Sequence, residues 1–238
     1  MNIALLGYGK MGKAIEQIAT QKGHSVVLKI DDQNLDALTN KNLQKADVAI
    51  EFTMPQSAVS NILQCFDAGL PVVCGTTGWL EQKNFVEEKC KQANGSFLTT
   101  TNFSIGVNIF FELNKKLAIL MEPYENYNVA IEEIHHTQKK DAPSGTAITI
   151  AEGILENSSI KKNWVNMHTE DKSILSVISK RIEAVPGTHS VKYTSEVDDI
   201  EIIHTAHNRK GFAAGALMAA EFIHDKKGVF TMRDVLGI

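Results

Sequence analysis

A chain of 238 residues is long enough for one large domain or two modest ones, and its formal charge of −4 gives no global drive toward nucleic acid or an anionic membrane, so anion binding has to be local. Cys65, Cys74 and Cys90 follow neither Cys-x-x-Cys nor Cys/His ligand spacing, which argues against a disulfide framework or a structural zinc and points to reduced, cytosolic thiols. The apolar run Ile3 to Leu6 has no basic lead and is short, so neither a signal peptide nor a membrane span is expected.

Asn2 to Leu6 reads as a buried strand. Gly7-Tyr8-Gly9-Lys10-Met11-Gly12 follows, then a helix with apolar positions at Met11, Ala14, Ile15, Ile18 and Ala19, closed by Gly23. In this G-x-G-x-x-G pattern the first glycine permits a tight turn, the second lets the backbone approach a pyrophosphate, and the third lets helix and strand pack closely. A strand–glycine–helix turn can also be packing alone. Here a second strand, Ser25 to Ile30, ends in Asp31-Asp32, about 20 residues on, where a dinucleotide site needs an acid for the adenosine ribose. The loop from Gly7 to Gly12 and Asp31 are therefore expected to bind the cofactor. Asp31 repels a 2′-phosphate and no arginine follows it, which favours NADH over NADPH, although Lys10 offers a positive partner.

The rhythm continues with a strand at Asp47 to Phe52, a helix at Gln56 to Ala68, a strand at Pro71 to Cys74, a helix at Glu81 to Ala93 and a strand at Phe97 to Thr101. Strands alternating with helices predict an α/β, Rossmann-type parallel sheet that binds ligands beyond the carboxyl ends of its strands. The turns Gly75-Thr76-Thr77-Gly78 and Thr101-Asn102-Phe103-Ser104 should share that crevice with the glycine loop. Gly75 and Thr77 are placed for the nicotinamide ribose, and Asn102 with Phe103 for the carboxamide and ring. Cys74 ends an apolar strand without an adjacent base, so it reads as packing rather than as a nucleophile.

After a helix at Ile105 to Leu120, a strand is expected from Asn128 to Ile134. The stretch Ile131 to Thr146 then concentrates two histidines, two lysines, a helix-start signal and three hydroxyls. His135 and His136 should point to opposite sides, so only one can face a given ligand directly. Asp141, Pro143 and Ser144 precede an apolar run, which predicts a helix from Ser144 to Leu155 with backbone donors near Ser144, Gly145 and Thr146. Such donors suit a carboxylate or phosphate. Lys139 makes the local field cationic, and a histidine can trade a proton near neutral pH. Taken singly these are ordinary features: paired histidines cap, Lys-Lys faces solvent, and Asp-x-Pro-Ser starts helices. Together they indicate an anionic substrate that accepts a proton.

Glu156 to Arg181 is polar and shows no assignable pattern, whereas Val191 to Glu196 and Ile200 to Ala206 read as an antiparallel pair around Asp198-Asp199. An α+β lobe follows, an open mixed sheet with helices on one face and the other face available to a second subunit. A small-residue helix runs from Gly211, with a short final element at Val229 to Leu236. The expected division is 1–103 with 208–238 for the dinucleotide and 104–207 for substrate and oligomerisation.

The chain resembles the 4-hydroxy-tetrahydrodipicolinate (dihydrodipicolinate) reductase family. The likeness rests on the glycine loop, Glu51-Phe52-Thr53, Gly75-Thr76-Thr77-Gly78, Asn102-Phe103-Ser104, the ending Phe230 to Leu236, and above all the block His135 to Ala147. It implies hydride transfer from NADH or NADPH to a cyclic dicarboxylate in the diaminopimelate route to lysine, by a cytoplasmic tetramer without a metal. It further implies His135 and Lys139 as the acid/base pair, His136, Lys139, Ser144, Gly145 and Thr146 as substrate contacts, and Tyr8, Met11, Thr76, Thr100 and Thr101 among the cofactor contacts. Met54 stands where some relatives carry a cofactor-facing arginine, and the segment after the Thr146 helix is shorter than in longer members. The rivals are other two-lobe dehydrogenases and a non-catalytic NAD(H) sensor. Sugar-type relatives usually carry Glu-Lys-Pro after a central strand and semialdehyde enzymes need a cysteine nucleophile, neither of which is found here, and a sensor would not need His135 or Lys139.

Overall fold

Apolar runs bounded by glycine-rich turns suit strands covered on both faces, and they form the first sheet here. The computed structural model describes residues 1–208 and 210–238. Strand β1 (Asn2–Leu6) leads into α1 (Lys10–Gln21), β2 (Ser25–Ile30), the short α2 (Asn40–Leu43), β3 (Val48–Glu51), α3 (Pro55–Asp67), β4 (Val72–Cys74), α4 (Lys83–Gln92) and β5 (Ser96–Thr99). Next come α5 (Ile105–Met121), β6 (Asn128–His135), α6 (Gly145–Leu155), β7 (Asn163–Val165), β8 (Ile174–Arg181), β9 (Gly187–Thr194) and β10 (Asp199–Ala206). The chain then finishes with α7 (Lys210–Ile223), β11 (Gly228–Phe230) and α8 (Met232–Leu236). It divides into two units, Met1–Ile105 with Lys210–Ile238, and Gly106–Arg209.

In the first unit six strands run parallel in the order β11-β5-β4-β3-β1-β2. Alternate residues feed two cores, as a period of two requires. Ile3 and Leu5 pack with Ile15 of α1, Ala216 and Leu217 of α7 and Met232 of α8. Ala4 and Leu6 pack with Ile62 and Phe66 of α3 and Val86 of α4. Because the chain order reverses at β1 and β3, their carboxyl ends frame the crevice in which such sheets bind ligands. The single final element expected at Val229 to Leu236 is in fact two. One is β11, which adds a sixth strand against β5, and the other is α8, whose Thr231 and Asp234 form a reciprocal capping box. Three strand residues are too few for periodicity to register.

All three cysteines are free and buried. Burial pushes their thiols up, Cys90 to about 11, which removes them from nucleophilic chemistry.

The second unit is a mixed sheet in the order β10-β9-β6-β8-β7, with β6–β9 and β9–β10 antiparallel and β6–β8 and β7–β8 parallel. On β6 the buried set is Val129, Ile131, Glu133 and His135. Val129 and Ile131 pack with Phe110 and Phe111 of α5, Ile150 and Ile154 of α6, and Leu175, Val177 and Val191. Asn114 ties the two helices by donating from Nδ2 to the Ile150 carbonyl at 2.9 Å. The other parity carries an ion pair of Lys180 with Glu132 at 2.6 Å. The unassigned stretch supplies β7 and β8; Leu175, Ser176 and Val177 are buried in succession, so no alternation betrays the strand. Strand β9 starts at Gly187 rather than Val191 because Thr188, His189 and Ser190 disguise its start as polar, although His189 is 4% exposed. Among the described residues no helix is long and apolar enough to cross a membrane.

Gly215 of α7 lies so close to the backbone of Phe103 that a Cβ would stand 1.8 Å from its carbonyl oxygen. Gly215→Ala is expected to destabilise the protein by about 1–3 kcal/mol or more, as overpacking does, read as a lower urea midpoint with an unchanged slope.

Candidate active site

In the first unit the tight turn after β1 depends on Gly7, whose φ of +96° and whose Cβ position, 2.0 Å from the Phe52 carbonyl oxygen, exclude a side chain. Gly9 is the N-cap of α1 and offers no side-chain cap, and nothing lies within 4 Å of where its Cβ would be. The first turn of α1 therefore presents backbone donors beside open space, which is what a pyrophosphate needs. Gly9, Lys10 and Met11 line a cleft of about 450 Å³ with Phe52, Thr53, Pro55, Gly75, Thr76 and Thr77. Two of the turns expected to converge thus do so, and the loop after β3 joins them.

Glu51, at the end of β3, holds that convergence together. It is 0% exposed and accepts from the Thr53 hydroxyl, from the Thr53 amide at 3.1 Å and from Cys74 Sγ at 2.9 Å. The Thr53 amide also donates to Thr76 Oγ1 at 2.8 Å, so Thr76 serves as a latch between two cleft loops. Asp31 is half-buried at the end of β2, with Oδ1 accepting from the Gln33 amide at 2.9 Å. Tyr8 hydrogen-bonds Glu16 and lies under the Lys29 ammonium, 4.8 Å from the ring centroid. Thr100 and Asn102 build a local turn, the Asn102 amide donating to Thr100 Oγ1 at 3.2 Å, and Thr101 is half-buried beside them. Phe103 is 2% exposed, in the core, with its ring 5.8 Å from that of Phe52. What it can offer a cofactor is backbone, not a ring face.

In the second unit the centre is Glu133, also 0% exposed. Both its carboxylate oxygens lie 3.1 Å from the Ser144 amide. The Arg181 guanidinium approaches Oε1 at 3.4 Å, while His135 Nδ1 stands 3.4 Å and His189 Nε2 3.7 Å from Oε2. Burial alone would raise the Glu133 carboxyl, but the side chains of His135, Ser144 and Ser179 outweigh it and hold the group well below the carboxylate range. Arg181 also donates to the Lys139 carbonyl at 3.3 Å and the Asp141 carbonyl at 2.5 Å, fixing the loop between β6 and α6. Ser144 caps α6 by accepting from the Ala147 amide at 3.2 Å, and its Oγ lies 3.2 Å from His189 Nε2. Burial, then the neighbouring His135, lowers His189 from 6.5 to about 3, so it is neutral.

Of the residues expected to bind substrate, Ser144 meets Glu133 and His189, and Lys139 is held through its carbonyl by Arg181. The Ser144 amide and hydroxyl are committed internally, so the helix start offers Gly145, which is exposed and whose amide has no partner among the described residues, and Thr146, which is 8% exposed. Lys139 pairs with Asp141 at 2.7 Å and 2.8 Å. His136, just past the strand, is half-buried, with its Nδ1 enclosed and unpartnered among the described residues. Glu133, Arg181 and His189 escape a reading of the sequence alone. Parity held the signal: Glu133 shares a face with Ile131, and His189 with Val191 and Tyr193. Ligand atoms of Glu133, His135 and His189 lie within 4.8 Å of one another, a spacing a cation could bridge. The Arg181 charge and the Ser144 amide already on that carboxylate oppose one.

A family model described as dihydrodipicolinate reductase, N-terminus, matches residues 1–103, and one described as dihydrodipicolinate reductase, C-terminus, matches residues 106–236. The chain is 52% identical over 238 residues to a 4-hydroxy-tetrahydrodipicolinate reductase of Christiangramia forsetii, covering 99% of this chain and 98% of that one. It is 38% identical over 201 residues to a 4-hydroxy-tetrahydrodipicolinate reductase of Methanocaldococcus jannaschii, covering 82% and 72% of the two chains. A solved dipicolinate-bound dihydrodipicolinate reductase from Paenisporosarcina sp. TG-14 is similar in fold, with a TM-score of 0.75 at 23% identity over 97% of both chains.

Below pH 6.5 the unfolded chain protonates His189 and the folded chain does not. Its contribution is therefore fully present above 6.5 and is lost as pH falls toward about 3, at up to about 1.4 kcal/mol per pH unit. His189→Gln is expected to flatten the decline in melting temperature between neutral pH and about pH 5, measured by thermal melts across that range.

Proposed function

Since the chain belongs to the dihydrodipicolinate reductase family, we propose that it reduces 4-hydroxy-tetrahydrodipicolinate to tetrahydrodipicolinate with NADH or NADPH, in the cytoplasmic diaminopimelate route to lysine. The observation that carries this is one buried carboxylate, Glu133, against which His135 and the Ser144-capped start of α6 sit, while the Arg181 paired with it also holds the Lys139 carbonyl. It joins proton-transfer groups and dianion-binding groups in a single unit.

The net change replaces a ring hydroxyl by hydrogen: a hydride enters, the hydroxyl leaves as water and one proton is consumed. The bound dinucleotide supplies the hydride. Gly9 and the start of α1 receive its pyrophosphate, Asp31 its adenosine ribose, and the loops at Thr53 and Thr77 the nicotinamide end. In the second unit the Lys139 ammonium, His136 and the Gly145–Thr146 turn hold the ring carboxylates. Lys139 exchanges Asp141 for a substrate carboxylate; with side chains 23% and 58% exposed, that pair is a weak competitor. His135 or Lys139 delivers the proton, and holding ring and acid in one geometry lowers the barrier further.

NADH is the preferred donor in this proposal. Asp31 takes part in no ion pair among the described residues, so its charge meets a 2′-phosphate uncompensated. Self-association to a tetramer is assigned to the helix-free face of the second sheet, where Glu132 and Lys180 lie and Ile203 is 59% exposed.

Three results test this. The protein should oxidise NADH when given fresh 4-hydroxy-tetrahydrodipicolinate, with His135→Gln and Lys139→Ala each losing about 10²–10⁴ in kcat/KM while still quenching with NADH. Normal NADH binding with no turnover would instead favour the sensor. Asp31→Ser should raise the NADPH-to-NADH ratio of kcat/KM by about tenfold, some 1.4 kcal/mol. Sedimentation should give a tetramer, and Ile203→Lys smaller species.

A further inference from the structure

Glu133 binds no substrate and delivers no proton in the proposed reaction, yet a carboxylate wholly removed from water is among the costliest groups a fold can carry. We infer that Glu133 is the positioning residue of this site: its carboxylate faces His135 Nδ1, so that Nε2 is the nitrogen that exchanges the proton, and it locks that ring to the start of α6 and to the Lys139 loop. The inference rests on the reductase reading, with His135 as an acid/base group.

Residues two apart on a strand share a face, so β6 itself delivers the carboxylate and the ring to one side of the sheet. His135 Nδ1 is buried, and Glu133 Oε2, at 3.4 Å, is the acceptor it faces. That approach is an ion-pair distance rather than a formed hydrogen bond, and such contacts tighten once the ring carries charge. A neutral imidazole has its proton on one nitrogen only, and an acceptor at Nδ1 makes Nε2 the basic atom. The Nε2 side is kept clear by Gly187, where a Cβ would stand 3.1 Å from that nitrogen.

The other charged groups around the ring cannot replace this carboxylate. Arg181 of β8 and Lys139 of the following loop are cations and oppose an imidazolium. His189 of β9, with its ring centroid 5.0 Å from that of His135, is neutral, and Asp141 is committed to Lys139. Through the Ser144 amide and Arg181 the same carboxylate also sets where α6 begins and where the loop carbonyls of Lys139 and Asp141 lie. One anion thereby fixes acid, anion-binding turn and cationic loop.

The test is the pH dependence of kcat/KM for the full-length enzyme and for Glu133→Gln, which keeps the shape and the acceptor for the Ser144 amide but removes the charge. Loss of the anion disfavours the protonated ring, so the alkaline limb should move to lower pH by at least about one unit, with kcat reduced and the KM for NADH unchanged. A fall in kcat with the limb in place would mean a structural role only and would overturn the inference. A wild-type protein that binds NADH without turnover would overturn the reductase reading instead. Nitrogen-15 histidine spectra of the wild type, with His135 assigned through His135→Gln, serve whether or not Glu133→Gln folds. The Nδ1–H tautomer is expected, and an Nε2–H tautomer would refute the inference.

Discussion

The burial of one carboxylate constrains the second unit more than any other single feature. Glu133 can be 0% exposed only because a backbone amide, a guanidinium and two imidazoles surround it, and each belongs to a different segment of chain. Those segments are thereby obliged to meet. The hydrophobic core of α5, α6 and the sheet decides that the unit folds; the polar hub at its end decides where the loop before α6 lies. A wholly apolar packing of the same elements would leave the Ser144 amide and Arg181 without their common partner.

The first unit solves a similar problem with weaker groups. Glu51 ends its strand and, like Glu133, is fully buried, but its donors are a threonine hydroxyl, an amide and a thiol, with no cation among them. It ties together loops that line a cleft, whereas Glu133 ties together the start of α6 and, through Arg181, the loop that carries Lys139 and Asp141. In each unit a buried glutamate on a strand turns two separate loops into one surface. The donors differ: neutral groups meet Glu51, whereas a guanidinium stands among those that meet Glu133.

Much of this is readable in the residues themselves. The glycine loop, the alternation of strands and helices and the capped helix after Pro143 rest on local steric and hydrogen-bond rules, and those rules act within a few residues. The burial of Phe103 is not legible locally, because α7, which helps to enclose it, comes from the far end of the chain. Glu133, Arg181 and His189 stay hidden for the same reason: each is an ordinary polar residue until strand pairing across the sheet brings them together. Periodicity shows that β6 has a buried face, yet only the pairing shows why a carboxylate belongs on it. The start of β9 is masked by Thr188, His189 and Ser190, and β8 by three successive buried residues that break the alternation.

The discontinuity of the first unit bears on the order in which this protein is made. Its sheet lacks β11 and the cover of α7 until the last segment has been synthesised, because both come from Lys210–Ile238. As the chain leaves the ribosome, the face of β1, β3 and β5 that α7 will share with α1 is covered by α1 alone while the whole of Gly106–Arg209 is being extruded behind it. The later-translated but contiguous unit can therefore reach its native core first, and the nucleotide unit waits, exposed to chaperones and to misassociation, for its final helix.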